Sequence, residues 1–229
     1  MRAPLLVLLL AGVLFAGCGG SSSKAKANGE ASKPAARVLA DADAAAKAAS
    51  SVHVSGSIDS TGTKVVLDLS LTNSKGATGT VTTNGLKFDL VRIGDTLYVR
   101  GSDAFYKHFA GAPAAQLLHG KWLKGSATGS RLTSLIPLTD MGRLFDQISA
   151  GHGKVVNDGT KTYKGQQVVQ IRDTADGSKL LVAATGTPYP VAITGGNQNQ
   201  SGAITFDDWN KSVPLSAPSN AIDISRIGG

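Results

Sequence analysis

Residues 65–71 read VVLDLSL, and they give the clearest secondary-structure signal in the chain. Apolar side chains occupy every second position: Val65, Leu67, Leu69 and Leu71. Successive side chains on a β-strand point to opposite faces of the sheet. The pattern therefore predicts a strand that buries one face and exposes the other.

Similar alternation continues beyond this strand. An Asn84-Gly85 pair, which favours a tight hairpin, leads into a strand with apolar residues at every second position: Leu86, Phe88 and Leu90. Five strands between residues 52 and 100 are predicted to form an antiparallel meander. Further strands are predicted between residues 155 and 206.

Helical patterns precede and separate the two groups of strands. An Ala-rich helix is predicted over residues 38–49 and another over residues 140–149. The second has an apolar stripe at helical spacing: Met141, Leu144, Phe145 and Ile148. The order helix, strands, helices, strands predicts an antiparallel α+β fold and excludes the alternating pattern of a doubly wound sheet.

The first 17 residues have the features of a signal peptide. Arg2 supplies a positive charge, and the run from Leu5 to Ala16 is apolar except for Gly12. A membrane-spanning helix needs roughly 20 apolar residues, so this run is too short to serve as one. Residues 1–17 are therefore predicted to be removed on export.

The sequence Leu14-Phe15-Ala16-Gly17-Cys18 resembles the bacterial lipobox, with Phe15 in place of the usual leucine. The resemblance implies cleavage before Cys18 and a diacylglycerol on its sulfur, which would anchor the chain to the extracytoplasmic face of the cell membrane. Cys18 is the only cysteine, so no intrachain disulfide is possible. Residues 18–37 lack a pattern of apolar residues and are predicted to be a flexible tether, followed by one domain over residues 38–229.

The charges and the histidines argue against several functional classes. The net charge is +7, but no long basic run or basic–aromatic cluster favours a nucleic-acid partner. The four histidines lie far apart, so no metal site is predicted. Because the chain also lacks a nucleophile elbow and a phosphate-binding loop, we expect no cofactor and no enzymatic activity.

Four short motifs, in this order, resemble the LppX/LprAFG-type lipoproteins of mycobacteria and their relatives. They are Asp95-Thr96-Leu97-Tyr98-Val99-Arg100, Gly120-Lys121-Trp122-Leu123, Pro188-Tyr189-Pro190-Val191 and Phe206-Asp207-Asp208-Trp209-Asn210. The resemblance covers residues 38–219. It implies a single antiparallel sheet curved into a half-barrel, like that of periplasmic lipoprotein carriers, with helices packed on its concave face.

The resemblance also implies a function: binding acyl lipids or glycolipids in a hydrophobic cavity and carrying them outward from the plasma membrane, with a membrane lipid exporter as a partner. Eleven residues are candidates to line this cavity: Val65, Leu67, Leu69, Leu71, Leu86, Phe88, Leu90, Met141, Leu144, Phe145 and Ile148. The small residues of the strand over residues 77–83 are expected to leave room for ligand. The alternative is a cell-surface scaffold or protein-binding lipoprotein whose core is filled and holds no ligand.

Overall fold

The computed structural model describes residues 26–60, 62–128, 132–195 and 200–226. The predicted signal peptide and Cys18 lie outside the described residues. The described chain contains twelve strands: β1 (Ser51–Ser60), β2 (Thr63–Thr72), β3 (Gly76–Thr83), β4 (Leu86–Ile93), β5 (Thr96–Gly101), β6 (Leu123–Ser126), β7 (Val155–Tyr163), β8 (Gln166–Asp173), β9 (Lys179–Ala183), β10 (Pro190–Thr194), β11 (Gln200–Asp207) and β12 (Ile222–Asp223).

Three α-helices accompany the strands in these ranges. They are α1 (Ala35–Ala48), α2 (Asp103–Leu118) and α3 (Met141–Ala150). Helix α2 is kinked at Gly111, whose φ of 84° is not helical. Short 3-10 turns cover Glu30–Ser32, Thr133–Leu138 and Ile224–Arg226.

All twelve strands lie in one sheet, in the order β12-β6-β5-β4-β3-β2-β1-β11-β10-β9-β8-β7. Two meanders, β1 to β6 and β7 to β11, are joined by the antiparallel pairing of β1 with β11. Strand β12 pairs with β6 in parallel, and the other pairings are antiparallel. Because the edge strands β12 and β7 are not paired with each other, the sheet stays open. The predicted α+β half-barrel is confirmed.

The helices cover one face of the sheet, which we call the concave face. Helix α3 packs on the first meander, where Met141 and Phe145 are buried among the side chains of β2 and β4. Helix α1 packs on the second meander, where Val38 and Ala42 contact Ile171 of β8. Polar contacts tie the two helices together, since Lys47 of α1 lies 2.6 Å from Asp146 of α3. We call α3 and the turn Thr133–Leu138 the roof.

Glycines inside the central strands allow neighbouring backbones to approach closely. Gly79 of β3 has a φ of 146°, and a Cβ there would overlap the carbonyl oxygen of Asp68 on β2. Gly56 of β1 has a φ of 131°, and a Cβ there would overlap the carbonyl oxygen of Ala203 on β11. Glycine kinks of this kind bend a sheet sharply. The small residues of β3 therefore serve curvature and packing rather than leaving open volume, because Ala77 and Val81 are fully buried.

The ordered domain begins earlier than the sequence predicted. Ala27 forms an isolated β-bridge with Thr185, and the side-chain amide of Asn28 donates to the carbonyl oxygen of Ala183 at 2.8 Å. Glu30 is only 3% exposed and pairs with Lys33 at 2.7 Å. The prediction of a flexible tether as far as residue 37 is therefore wrong, because polar side chains dock residues 27–33 onto the sheet without any apolar pattern. We call residues 26–33 the arm.

On the opposite, convex face, polar side chains of neighbouring strands interact with one another. The ring of His53 on β1 lies 2.9 Å from a carboxylate oxygen of Asp68 on β2 and 2.8 Å from one of Asp207 on β11. Partial burial lowers the pKa of His53, but hydrogen bonds to these two carboxylates outweigh it and raise the pKa above the ordinary value of 6.5. His53 thus links the two meanders at their junction.

We expect Gly79→Ala to lower the free energy of unfolding by about 2–4 kcal/mol, because the new methyl group must displace the β2 backbone. Gly85→Ala is the matched control: it also has a positive φ, but no atom lies within 4 Å of the added carbon. The control should cost about 1 kcal/mol. Urea denaturation measures both, and equal losses would contradict the role of Gly79 in strand approach.

We expect the His53 interaction to make stability depend on pH. Since the folded-state pKa is raised, the stabilisation is fully present below pH 6.5 and is lost as the pH rises through the folded pKa. For a partly exposed ion pair its size should stay below about 1 kcal/mol. His53→Gln should flatten the dependence of the unfolding free energy on pH in this window, whereas the control His108→Gln should not. An unchanged profile in His53→Gln would contradict the assignment.

Candidate functional site

The candidate site is the apolar concave face of the first meander together with the roof above it. Nine of the eleven residues named from the sequence meet there. Six are buried in one cluster: Leu69, Leu71, Phe88, Leu90, Met141 and Phe145. Three are partly exposed and pack against it: Leu67, Leu144 and Ile148. The alternation in β2 and β4 and the helical spacing in α3 therefore identified two apolar surfaces, and these surfaces contact each other in the fold.

Val65 and Leu86 lie outside this cluster and are half-buried. Both face Thr83 across the sheet, in the part of the concave face next to the β1–β2 and β3–β4 turns. We call this part the hairpin end. Ile58 pairs with Val65 there and is also only partly covered. The concave face is thus apolar beyond the region that the roof covers, and its uncovered part forms an apolar lip made of Ile58, Val65, Leu67 and Leu86.

Side chains fill the space beneath the roof in this structure. Met141 and Phe145 are at most 2% exposed beneath it. Two cavities border the described part of the sheet elsewhere. One, of about 390 Å³, lies beside α2 and includes Phe88 and the ion-paired Asp89 and Arg100. The other, of about 270 Å³, lies on the convex face beside His53. The predicted cavity-lining residues therefore pack against one another here.

Arg92 is a residue of this site that sequence reasoning missed. It follows Leu86, Phe88 and Leu90 in the inward register of β4 and is only 3% exposed. Its Nη1 donates to the carbonyl oxygen of Thr139 at 3.2 Å and lies 3.5 Å from a carboxylate oxygen of Asp140. The sequence contains a signal that could have identified Arg92: an arginine in the inward register of β4, after three apolar residues. A buried charge needs a partner, so this position predicts a polar contact.

These contacts connect the sheet to the start of α3. Asp140 caps this helix by accepting from the backbone N–H of Arg143 at 3.1 Å, and Thr139 is fully buried. The side chain of Arg92 therefore holds the roof at Thr139 and Asp140, between the turn and the start of α3. We call this contact the Arg92 latch.

An aromatic cluster closes the other side of the roof. Phe145 of α3 packs against Phe206 and Trp209, with ring centroids 5.4 and 5.7 Å apart. Trp209 stacks on Tyr189 at 4.5 Å with nearly parallel rings. The Tyr-Pro and Phe-x-x-Trp motifs noted in the sequence therefore meet in space. Asp208, next to Trp209, forms an exposed ion pair with Lys211 at 2.7 Å.

The histidines do not gather into a metal site. His53 and His119 each pair with aspartates, and no group of three or more His, Cys, Asp or Glu side chains suited to a metal ion occurs among the described residues. No helix in the described ranges is both long and apolar enough to cross a membrane.

Comparison with solved structures identifies the fold. LprF from Mycobacterium bovis superimposes with a TM-score of 0.54 and 16% identity, over 80% of this chain and 96% of LprF. The lipoprotein LppX from Mycobacterium tuberculosis gives a TM-score of 0.51 and 19% identity, over 80% of this chain and 98% of LppX. No protein-family model matches the chain, and no curated protein sequence does.

The superpositions span nearly the whole length of both mycobacterial proteins. The four sequence motifs predicted a fold of this type. The resemblance that these motifs predicted is therefore confirmed at the level of the fold, and the chain is a half-barrel of the LppX/LprF type.

Proposed function

We propose that this protein is a lipid-binding lipoprotein of the extracytoplasmic face of the cell membrane, anchored through Cys18. It holds acyl lipids or glycolipids between the concave face and the roof and carries them outward from the plasma membrane, with a membrane lipid exporter as a partner. One observation carries this proposal: apolar side chains extend along the concave face toward the hairpin end, while the roof covers only part of them.

The uncovered lip favours hydrocarbon as the ligand. Ile58, Val65 and Leu67 are neighbours on β1 and β2, and Thr83 of β3 lies between Val65 and Leu86 of β4. A contiguous apolar patch that remains partly exposed is typical of a ligand or partner surface. Acyl chains fit this surface because they require no hydrogen bonds from it.

The energetics favour a carrier over a permanent store. A buried methylene contributes about 0.8 kcal/mol, so a long acyl chain gains a large gross stabilisation in the protein. The bilayer that the chain leaves solvates it equally well, and the net transfer is near balance. Small changes in the roof can therefore decide whether lipid enters or leaves.

Entry of an acyl chain requires the roof to move, because side chains fill the space beneath it. Helix α3 spans only Met141–Ala150 and is tied to the sheet by apolar side chains and the Arg92 latch. Displacing α3 would remove Met141 and Phe145 from the core and expose the inner surface of β2 and β4. We infer that the roof is the gate of the site.

The alternative remains a scaffold with a filled core, and the packing beneath the roof favours it. The two candidate functions differ in whether the purified protein retains bound lipid. Mass spectrometry of an organic extract of the purified protein should detect bound acyl lipid if the site loads. Absence of organic-soluble material, even after incubation with membrane lipids, would favour the scaffold. Both candidates are binding proteins, and we propose no catalytic role for either.

We expect Leu67→Lys to reduce the amount of co-purifying lipid severalfold, because it places a charge on the lip where hydrocarbon would lie. Val66→Lys is the matched control: Val66 is the adjacent residue, points to the convex face and is 37% exposed. Both variants should melt near the temperature of the parent chain. Equal lipid content in the two variants, measured by mass spectrometry, would argue against binding at the lip.

We expect Arg92→Met to loosen the roof, because it removes the charged partner of Thr139 and Asp140. Amide hydrogen exchange over residues 133–150 should accelerate, and uptake of a fluorescent fatty acid should become faster. Arg100→Met serves as the control, since Arg100 lies on the neighbouring strand and pairs with Asp89 away from the roof. Faster exchange with unchanged uptake would show that the roof is not the gate.

A further inference from the structure

Helix α2 exposes more apolar surface than any other described element. Phe109 is 63% exposed and Leu117 is 77% exposed, and the only other exposed large apolar side chains among the described residues are Val66 and Ile93, at 37% and 38%. The residues around Phe109 and Leu117 are mostly small and apolar: Ala110, Gly111, Ala112 and Pro113. We call this surface the outer face of α2.

The fold itself leaves Phe109 exposed, because contacts on the inner side of α2 fix the orientation of the helix. Tyr106 is buried, and its hydroxyl accepts from the backbone N–H of Gly101 and donates to the carbonyl oxygen of Lys121, both at 3.0 Å. Ser102 caps the helix by accepting from the N–H of Phe105. The ring of Phe105 lies 4.7 Å from that of Phe109. Phe109 is therefore supported from beneath and directed outward.

Helix α2 carries large apolar side chains on two sides. Tyr106, Ala115 and Leu118 face the sheet, while Phe109 and Leu117, on either side of the kink at Gly111, are exposed. Large apolar side chains left in water on one helix are typical of a surface that binds an apolar partner.

Basic side chains border this face. Lys107 of α2 and Lys121, just after the helix, are both exposed and have no ion pair among the described contacts. His108 is exposed on the same helix, and the acidic side chain of α2, Asp103, pairs with His119 at 2.7 Å. Apolar side chains flanked by unpaired lysines are typical of helices that lie in the interface of an anionic bilayer.

We propose that the outer face of α2 docks into the interfacial layer of a bilayer that contains anionic lipid, with Phe109 and Leu117 inserted and Lys107 and Lys121 at the headgroups. This proposal rests on the proposed membrane anchoring in one respect: the anchor brings the domain to the surface. The docking contact itself needs no lipid on Cys18.

The length of the chain before the arm sets the orientation of the domain. Seven residues lie between Cys18 and Lys26, so the Cα atoms of these two residues are at most about 28 Å apart, whereas a ten-residue strand such as β1 spans about 33 Å. The arm lies beside the end of β9, while α2 follows β5 at Gly101, which pairs with Phe88 near the hairpin end. The arm and α2 are thus at opposite ends of the strands.

With the anchor near one end and α2 near the other, both reach one bilayer when the strands lie along its surface. Helices α1 and α2 both follow the concave side, since Val38 of α1 packs on β8 and Phe105 of α2 packs on Phe88 of β4. In the docked domain the concave face would be turned toward the membrane. This orientation brings the apolar lip near the lipid from which acyl chains would enter.

The test uses the processed chain, residues 18–229, with Cys18→Ser, which contains every described strand and helix but cannot carry an anchor. Co-sedimentation with vesicles of phosphatidylcholine and phosphatidylglycerol is compared with co-sedimentation with phosphatidylcholine alone. We expect binding to the anionic vesicles. Replacing both Phe109→Ser and Leu117→Ser should lower the partition coefficient by at least about tenfold, given what burial of such side chains contributes.

The matched control replaces the other two exposed apolar residues, Val66→Ser and Ile93→Ser, and should bind as the parent does. Lys107→Gln with Lys121→Gln should reduce the preference for anionic vesicles. Failure of the parent chain to bind either vesicle, or equal binding by the two double variants, would overturn the proposal. Loss of self-association rather than vesicle binding in the α2 variant would assign the face to a second copy of the chain. Retained lipid in an extract of that variant would leave the proposed function standing in either case.

Discussion

The curvature of the sheet is the constraint on which the rest of the structure depends. Close backbone contacts bend the central strands at Gly56, where the two meanders join, and at Gly79, between β3 and β2. Side chains at these positions would force the strands apart and flatten the sheet. A flat sheet of twelve strands could not surround α1 and α3, and the two apolar clusters beneath these helices would be open to water.

The curved sheet and the roof together define what the site can do. The roof supplies Met141 and Phe145 to the core, but it is a short helix fixed at its start by the Arg92 latch and elsewhere by apolar contacts. Such contacts are non-directional and can be replaced by hydrocarbon at little net cost. Because roof side chains fill the core through such contacts, an acyl chain could take their place.

The arm and the outer face of α2 give the half-barrel a direction. Asn28 donates to the carbonyl oxygen of Ala183, and Asn157 of β7 donates to that of Lys33, so that both hold the arm against the second meander and shorten the free chain behind it. Helix α2 presents its apolar surface at the other end of the strands. With the proposed docking of α2, a domain held at both ends along its concave side would be suited to exchange lipid with the surface beneath it. The convex face, with its ladders of His53, Asp68 and Asp207, would remain in water.

Local pattern in the sequence determined the class of the fold, most of the strands and the two surfaces that form the candidate site. Alternation in residues 65–71 and the helical stripe from Met141 to Ile148 express side-chain direction, which depends only on nearby residues. Only the tertiary structure decided that β1 pairs with β11, that Arg92 belongs to the roof contact, that the arm is docked and that side chains fill the space beneath the roof. These features arise from contacts between residues far apart in the chain, and the periodicity of a segment carries no information about which distant segment it meets.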